Sequence, residues 1–342
     1  MVRIQFGTLS IPSCPVDEYM QKFFDSEESL DEVERKDLDS FSEGLKELED
    51  GNLDLLAMPA QMLHGKHLQM YNSGCEVIGA RTPRTPNMIL VSENKLQYQP
   101  RSAIILTDSK LIRSQLRRAR RGIRVLSSKA FIEINKITEK FENELEKYSW
   151  MERLRLNGEI DGFVIPRVIY SQIEINGRRH TLLPDPHNLG DNHFLPKPYS
   201  DLVVIIGRKN FPNSIGKLFT ETEGDTIWKI HDYFLGSMKE DDIDEIGFLV
   251  RHRKLSTLML QAEKDRDLLM EQAFHDYEGE VTTSEVLVEI KIERISNDGK
   301  KTISLHRVIP YSEYQVAIVS AEKDWRKILQ NAFDVDPKFI ND

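Results

Sequence analysis

The chain has 342 residues, of which 39% are hydrophobic and 30% are charged, and its formal net charge at pH 7 is -10. This length is enough for two or three domains, each with its own apolar core. The acidic balance argues against a general nucleic-acid-binding protein, which needs a basic surface, although local basic patches remain. We therefore predict no nucleic-acid partner.

The cysteine content and the N-terminus bear on location. The chain has two cysteines, Cys14 and Cys75, and residues 1–6 lack the apolar core of a signal peptide. Few cysteines and no export signal favour reduced thiols. No stretch approaches the roughly 18 to 20 apolar residues of a membrane span. We expect a cytoplasmic protein without a membrane partner.

Short apolar strands and helices alternate up to residue 207, which predicts parallel α/β layers. The predicted strands are residues 2–6, 53–58, 76–80, 88–92, 102–106, 123–126, 160–168 and 202–207. The predicted helices are residues 16–24, 39–49, one that begins after Ser109, and 131–156. Residues 26–36 are acidic and polar, and we expect a loop or a short helix there.

The strand at residues 53–58 ends at Pro59 and is the first place to look for chemistry. A short apolar run bounded by turn residues is typical of a buried parallel strand, although periodicity alone does not exclude a helix. In open α/β sheets, ligands bind beyond the carboxyl ends of such strands. We therefore expect the residues after Pro59 to face a ligand site.

Two basic segments are candidate anion sites. Residues 81–87 form a proline-punctuated turn that contains Arg81 and Arg84; the alternative is a solvated connection whose arginines pair with surface acids. Thr107-Asp108-Ser109 precedes a helix containing Arg113, and hydroxyls with free N–H groups at a helix N-terminus can bind anions. The alternative there is a capped helix with solvated arginines.

Known catalytic and metal-binding motifs do not occur. We find no phosphate-binding Walker loop, dinucleotide-binding glycine pattern, HExxH or CxxC pair. His180, His187 and His193 are irregularly spaced and have no cysteine partners, so we predict no metal site.

The C-terminal part has a different pattern, which predicts a small α+β domain over residues 215–342. A helix is expected within residues 216–238 and a long amphipathic helix over residues 248–277. Strands over residues 285–295 and 302–309 are joined by a good hairpin turn at residues 296–300, and residues 312–333 form a closing helix.

The order of these segments resembles the hydroxymethylbilane synthase family, also called porphobilinogen deaminase. Residues 54–62 (DLLAMPAQM) fall where the family has an approximate D-I-A-V-H-S-M-K-D, and residues 84–92 (RTPNMILVS) where it has R-E-D-P-R-D-A-L-V-S. Residues 107–113 (TDSKLIR), 157–165 (NGEIDGFVI), and 195–198 (LPKP) with 202–208 are similar to its T-S-S-L-R-R, N-G-E-Y-D-A-I-I-L and L-P-A-P-G-Q-G-A-L-x-I-E-x-R.

The resemblance covers residues 1–210 and rests on the order and spacing of the segments. It implies two lobes of the type II periplasmic-binding-protein kind, formed by residues 1–98 with 195–214 and by residues 99–194, plus the C-terminal α+β domain. It also implies a ligand cleft between the lobes.

Three departures bear on activity. The family's catalytic lysine–aspartate pair corresponds to Gln61 and Met62, and methionine can neither ionise nor relay a proton. The family's carboxylate-binding L-R-G-N-x-x-T-R corresponds to residues 126–131, which keep only Lys129. No cysteine lies beyond Cys75, so the thioether that holds the dipyrromethane cofactor in the third domain cannot form, and we expect no cofactor.

Our leading hypothesis is a divergent hydroxymethylbilane synthase-like protein of tetrapyrrole metabolism that binds a pyrrole, a tetrapyrrole or another polycarboxylate without the standard dipyrromethane-dependent reaction. The alternatives are an active transferase that uses a non-covalent primer, and a non-catalytic ligand sensor or protein-interaction module. The candidate ligand contacts are Ser10, Arg84, Thr107, Ser109, Arg113, Lys129 and Lys197, of which Arg113 is the preferred one.

Overall fold

The structure, a computed structural model, describes residues 4–27, 33–84, 88–185, 192–236, 238–272, 274–275 and 286–335. Several predictions fall partly outside these ranges: residues 2–3 of the first strand, residues 85–87 of the basic turn, His187, and the end of the helix predicted over residues 248–277.

The strands are β1 (Ile4–Thr8), β2 (Val33–Asp37), β3 (Leu55–Pro59), β4 (Cys75–Arg81), β5 (Met88–Ser92), β6 (Ile104–Leu106), β7 (Arg124–Leu126), β8 (Gly162–Pro166), β9 (Arg179–Leu182), β10 (Val203–Arg208), β11 (Ile246–Lys254), β12 (Val286–Ile295) and β13 (Thr302–Pro310). Two 3₁₀ helices are Ala60–Met62 and Leu96–Tyr98.

The α-helices are α1 (Val16–Ser26), α2 (Phe41–Glu49), α3 (His67–Asn72), α4 (Lys110–Ala119), α5 (Ser128–Asn135), α6 (Glu144–Leu156), α7 (Arg167–Tyr170), α8 (Asn213–Gly216), α9 (Thr222–Leu235), α10 (Glu240–Ile243), α11 (Leu255–Asp265), α12 (Leu268–Gln272) and α13 (Tyr314–Val335).

The first lobe is built on a five-stranded sheet in the order β2-β1-β3-β10-β4. Strands β2, β1 and β3 are parallel, whereas β10 runs antiparallel to both β3 and β4. All five residues of β3 are buried, which agrees with the prediction of a buried strand at residues 53–58. Strand β10 enters this sheet only after the chain has formed the second lobe.

The second lobe repeats this plan with a sheet in the order β7-β6-β8-β5-β9. Strands β7, β6 and β8 are parallel, and β5 runs antiparallel to β8. Each sheet therefore includes a strand that directly follows a crossover between lobes, as in type II periplasmic binding proteins. Because β5 pairs in this sheet, the second lobe begins before residue 99, where we had placed its start.

The third domain is an antiparallel sheet in the order β11-β12-β13, with helices α9 and α13 on one face. Its apolar face shares a single core with the first lobe, in which Phe248 and Ile290 belong to the same buried cluster as Leu56 and Val204. Helix α9 bridges the two, because it contacts both β4 and β11. The first lobe and the third domain are thus joined by apolar packing.

The other face of this sheet carries buried charges toward the second lobe. The fully buried Glu293 carboxylate accepts hydrogen bonds from Arg118 Nη1 (2.7 Å) and Gln115 Nε2 (2.9 Å) of α4, and His193 Nε2 lies 2.8 Å from it. Burial alone would raise the pKa of Glu293, but the contacts with His193 and Arg118 outweigh it and hold the pKa below its ordinary value. The contact with the second lobe is therefore ionic.

Two helix predictions were wrong. Residues 131–156 form two helices. Helix α5 ends at Asn135, because the next residue, Lys136, is left-handed (φ 53°), and α6 begins at Glu144, after Asn143, whose side chain accepts from Glu146 N. Residues 248–277 begin as strand β11, which pairs with β12 along nine residues, so pairing in the sheet overrides the local helical pattern. Strand β2 was also missed.

Candidate functional site

A cavity of about 640 Å³ lies between the two lobes. The central strand of each sheet ends there, and Pro59 of β3 and Pro166 of β8 belong to its wall. The volume is within the range of roughly 300 to 1,000 Å³ that is typical of small-molecule sites. This interlobe cleft is the candidate ligand site. It lies at the carboxyl ends of the strands, where we expected the residues after Pro59 to face a ligand.

The residues after β3 divide between the cleft and the core. Gln61, in the 3₁₀ helix Ala60–Met62, is exposed and lines the cleft. Met62 is partly buried and packs against the apolar core instead. An amide and a thioether offer no acid or base, so the end of β3 supplies no proton-transfer group.

The loop before α4 supplies hydroxyls to the cleft. Thr107 and Ser109 both line it, and the Ser109 hydroxyl also caps α4 by accepting from Ile112 N (3.3 Å). Asp108, between them, accepts hydrogen bonds from Ser128 N (2.8 Å) and Ser128 Oγ (2.6 Å), and lies 2.9 Å from Lys147 Nζ. Burial alone would raise the pKa of Asp108, but these contacts lower it overall. The loop is therefore held rigidly by an ionised carboxylate.

Arg113, the preferred sequence candidate, supports this loop and does not line the cleft. Its Nη1 donates to the carbonyl oxygens of Thr107 (3.1 Å) and Asp108 (2.9 Å). Burial lowers its pKa, and so does the neighbouring charge of Arg117. We therefore correct its predicted role from a ligand contact to a residue that positions the hydroxyl-bearing loop.

Two other candidates carry acidic partners. Lys197 lines the cleft but lies 2.8 Å from Asp244 Oδ1. Arg84 lies 3.1 Å from Glu223 Oε2. It borders a different cavity, of about 670 Å³, which lies between the third domain and the two segments that connect the lobes. Arg84 thus follows the alternative predicted for the basic turn, an arginine paired with an acid.

The remaining two candidates lie outside the cleft lining. Ser10 Oγ donates to Asp17 Oδ1 (2.6 Å) and accepts from Asp17 N (3.0 Å), so it organises the start of α1. Lys129 is exposed near the start of α5. The cleft therefore brings together Thr107, Ser109 and Lys197 out of the predicted set.

Sequence reasoning missed three cations that line the cleft, namely Lys22, Lys147 and Arg167. Within the described residues, Lys22 and Arg167 make no ion pair, whereas Lys147 pairs with Asp108. Arg167 follows directly after strand β8, so its place at a strand end was a readable signal. Lys22 and Lys147 lie within helices, and only the packing of the lobes brings them here.

The charges in the lining balance. Four cations face the cleft and four acids accompany them: Lys22, Lys147, Arg167 and Lys197, with Glu18, Asp108, Glu144 and Asp201. Lys147 and Lys197 are already neutralised by carboxylates. A ligand with many carboxylates would find little excess positive charge here, whereas a ligand that carries both signs would suit the lining.

Cys14 is a half-buried free thiol in the cleft lining. Burial, assisted by the negative charge of Asp201, raises its pKa from 9.0 to about 12. A thiol is a poor nucleophile when it stays protonated, so Cys14 is not an activated cysteine at neutral pH. Cys75 is buried in β4, away from the cleft.

The two connections between the lobes touch each other beside the cleft. Thr82 Oγ1, just after β4, donates to Asp201 Oδ2 (3.2 Å), just before β10. Arg84, Tyr199 and Asp201 adopt left-handed conformations, with φ of 59°, 59° and 58°. Such backbone costs energy for residues other than glycine and is held by its surroundings, which is common at ligand sites and switch regions.

Within the ranges that the structure describes, no cluster of three or more His, Cys, Asp or Glu side chains is arranged to hold a metal ion. Within the same ranges, none of the helices has the length and apolar character needed to span a bilayer.

Sequence comparison gives no match to a protein-family model or to a curated protein. Solved structures do resemble the chain. A periplasmic substrate-binding protein of an ABC transporter from Coxiella burnetii is 12% identical, with a TM-score of 0.34 over 67% of this chain and 95% of that one. The periplasmic aliphatic sulphonate binding protein SsuA from Escherichia coli is 14% identical, with a TM-score of 0.32 over 70% and 72%.

A nutrient binding protein from Burkholderia cenocepacia bound to methionine is 12% identical, with a TM-score of 0.31 over 66% and 91%. Similarities at this level do not identify the ligand of this chain. The two-lobed fold is established by the strand orders of its own two sheets. They do contradict the cytoplasmic location that we predicted, because the matched structures include periplasmic proteins and lipoproteins. We withdraw that prediction.

Proposed function

We propose that this protein binds a small amine-bearing carboxylate of the pyrrole class in its interlobe cleft, as a divergent hydroxymethylbilane synthase-like protein without the standard dipyrromethane-dependent reaction. The observation that carries the proposal is the pairing of unneutralised Lys22 and Arg167 with the hydroxyls of Thr107 and Ser109, contributed by both lobes to one cavity.

The charge balance of the cleft supports a monopyrrole over a tetrapyrrole. Porphobilinogen has two carboxylates and one aminomethyl group, and so carries both signs. Its carboxylates suit Arg167 and Lys22, and its ammonium group suits Glu18 or Glu144. A linear tetrapyrrole with eight carboxylates would need many more cations.

The residues that stand at the family's catalytic positions support the loss of the pyrrole-polymerising reaction. At the positions of the family's lysine–aspartate pair, Gln61 carries no ionisable group, and Met62, at the aspartate position, packs into the core. The cleft thiol, Cys14, stays protonated at neutral pH because its pKa is raised. The positions at which the family transfers protons and attaches its pyrrole primer therefore carry no suitable group in this chain.

Isothermal titration calorimetry with porphobilinogen tests the binding. We expect the Arg167→Gln variant to bind about tenfold or more weakly, since a charge-assisted hydrogen bond contributes about 1.5 to 3 kcal/mol. The Arg153→Gln variant, which changes an exposed arginine of the same lobe, is the matched control and should bind like the wild type. No binding by the wild-type protein would refute the proposed ligand.

A turnover assay tests the second part separately. Purified protein incubated with porphobilinogen should release no ammonia above background and form no bilane. Sustained bilane formation would refute the loss of catalysis and favour an active transferase, even if the binding experiment succeeded. Mass spectrometry of the native protein should show Cys14 and Cys75 without an adduct.

A ligand sensor remains a second candidate, because the third domain contacts both lobes. It shares an apolar core with the first lobe and holds α4 of the second through Glu293. Movement of the lobes would therefore be transmitted to its surface. Hydrogen exchange with and without porphobilinogen would test this, since a sensor should show ligand-dependent protection in β11 and β12.

A further inference from the structure

A basic groove lies away from the interlobe cleft, where the end of α4 meets the hairpin between β12 and β13. It encloses about 580 Å³, and its charged lining residues are Arg117, Arg120, Arg121, Lys300 and Asp298. Four cations thus face a single carboxylate on a protein whose net charge is -10. We call this the arginine groove.

Two guanidinium groups of the arginine groove are held by backbone carbonyl oxygens and not by carboxylates in hydrogen-bond contact. Arg117 donates to the carbonyl oxygens of Asn297 (2.6 Å) and Val125 (2.9 Å). Arg120 donates to the carbonyl oxygen of Gln99 through Nε (3.1 Å) and Nη2 (2.8 Å). Carbonyl groups fix the position of a guanidinium without neutralising it, so both charges remain available to an anion.

The remaining cations of the groove are accessible. Arg121 is exposed and makes no ion pair with a described residue, and Lys300, also exposed, pairs with Asp298 at 2.9 Å. Arg101 borders the groove, because its side chain lies next to Gly122, which lines it. The positive surface therefore extends beyond the groove itself.

An exposed aromatic residue lies close in sequence to the contacts of these cations. Tyr98 is 70% exposed and immediately precedes Gln99, whose carbonyl oxygen anchors Arg120. A phosphate ion or a polyphosphate has no ring that could stack on an aromatic face. Nucleic-acid bases do stack on such faces, and single-strand-binding proteins combine aromatic rings with a basic groove.

We propose that the arginine groove binds single-stranded nucleic acid, with Arg117, Arg120, Arg121 and Lys300 on the phosphates and Tyr98 on a base. The whole-chain charge of -10 argued against nucleic-acid binding in general. A local cluster of cations nevertheless creates its own field over a distance comparable to the Debye length, about 8 to 10 Å at physiological salt. The proposal is independent of the ligand in the cleft.

Fluorescence anisotropy with labelled single-stranded DNA and RNA of about 16 nucleotides tests it, since this length spans one such site. We expect micromolar binding at low salt, and an affinity that falls with salt with a logarithmic slope of about -2 to -3 for three or four phosphate contacts. Double-stranded DNA should bind more weakly, because its bases are not available to Tyr98.

Two sets of variants separate this site from general charge effects. Arg121→Glu combined with Lys300→Glu should weaken binding by about tenfold or more, because it replaces attraction to phosphates by repulsion. Lys323→Glu combined with Lys327→Glu makes the same charge change on exposed residues of α13 and should leave binding within about twofold. Tyr98→Ala should weaken binding about fivefold or more by removing a stacked base.

Three results would overturn the proposal: no saturable binding at low salt, equal weakening by the two charge-reversed pairs, or an unchanged affinity in Tyr98→Ala together with equally strong binding of inorganic polyphosphate. The last result would identify an unselective polyanion site. Circular dichroism of each variant, unchanged from the wild type, ensures that the losses reflect the groove.

Discussion

The buried ion pair between Glu293 and Arg118 gives the sharpest test of how the third domain is held. Glu293, on β12, has a fully buried side chain, and that of Arg118, on α4, is 15% exposed. Replacing either residue alone leaves its partner's charge in a poorly hydrated interface. We consider Glu293→Leu and Arg118→Met, which keep roughly the volume of each side chain.

Each single variant should lose about 3 kcal/mol of unfolding free energy, the lower end of the range for breaking a buried pair, because Arg118 retains some contact with water. Glu293 would keep Gln115 and His193 as neighbours in Arg118→Met, which also limits the loss. The double variant should lose much less than about 6 kcal/mol, since two apolar side chains can replace a buried pair at little cost.

Urea-induced unfolding, followed by tryptophan fluorescence and circular dichroism, measures these changes. The matched control is Arg153→Met, which breaks an exposed pair with Glu139 at 3.4 Å and should cost less than about 1 kcal/mol. If the losses of the two single variants add within about 0.5 kcal/mol in the double variant, the two residues are not coupled and the reasoning is wrong.

Three further predictions follow from the same structure. Glu289 and Glu293 have pKa values held below their ordinary range in the folded protein, so their stabilisation is full above the unfolded-state pKa of about 4.3 and is lost as the pH falls below it; urea midpoints that do not decrease there would contradict this. Because burial raises the pKa of Cys14 to about 12, iodoacetamide should modify it at least about a hundredfold more slowly at neutral pH than after denaturation, and comparable rates would be inconsistent with this. Met62→Asp should lower the unfolding free energy by about 1 to 3 kcal/mol and produce no bilane, because Met62 packs on the core; Gln61→Asp is the exposed control, and a stable, active Met62→Asp would refute this.

The buried strands were the most predictable part of the fold. The run at residues 88–92 coincides with β5, and the run at 53–58 differs from β3 by two residues at its start and one at its end. Both are short, mostly apolar and bounded by turn residues, a pattern that is typical of strands buried on both faces of a sheet. The hairpin between β12 and β13 was predictable for a similar reason, since its turn residues are local.

The long helices were less predictable, because a segment whose local sequence fits both a helix and a strand takes the conformation that its tertiary partners select. Residues 246–254 contain both a helical and an extended pattern, and only their pairing with β12 selects the strand. Arg113 shows the same limit for the site. Its position near the start of α4 was predicted, but the direction of its side chain, toward the carbonyl oxygens of its own loop, depends on folded geometry.

Strand β3 and the residues that follow it differ in how closely their roles depend on individual residues. Strand β3 forms because Leu55 to Pro59 are buried, and many apolar sequences can fill such a buried position. The groups beyond it depend on single residues, and there Gln61 faces the cleft while Met62 joins the core. The first lobe and third domain form one apolar unit, whereas Arg118, Gln115 and the lobe connections hold the second lobe. The second lobe is therefore joined to this apolar unit through polar contacts, which include those of the buried Glu293 carboxylate.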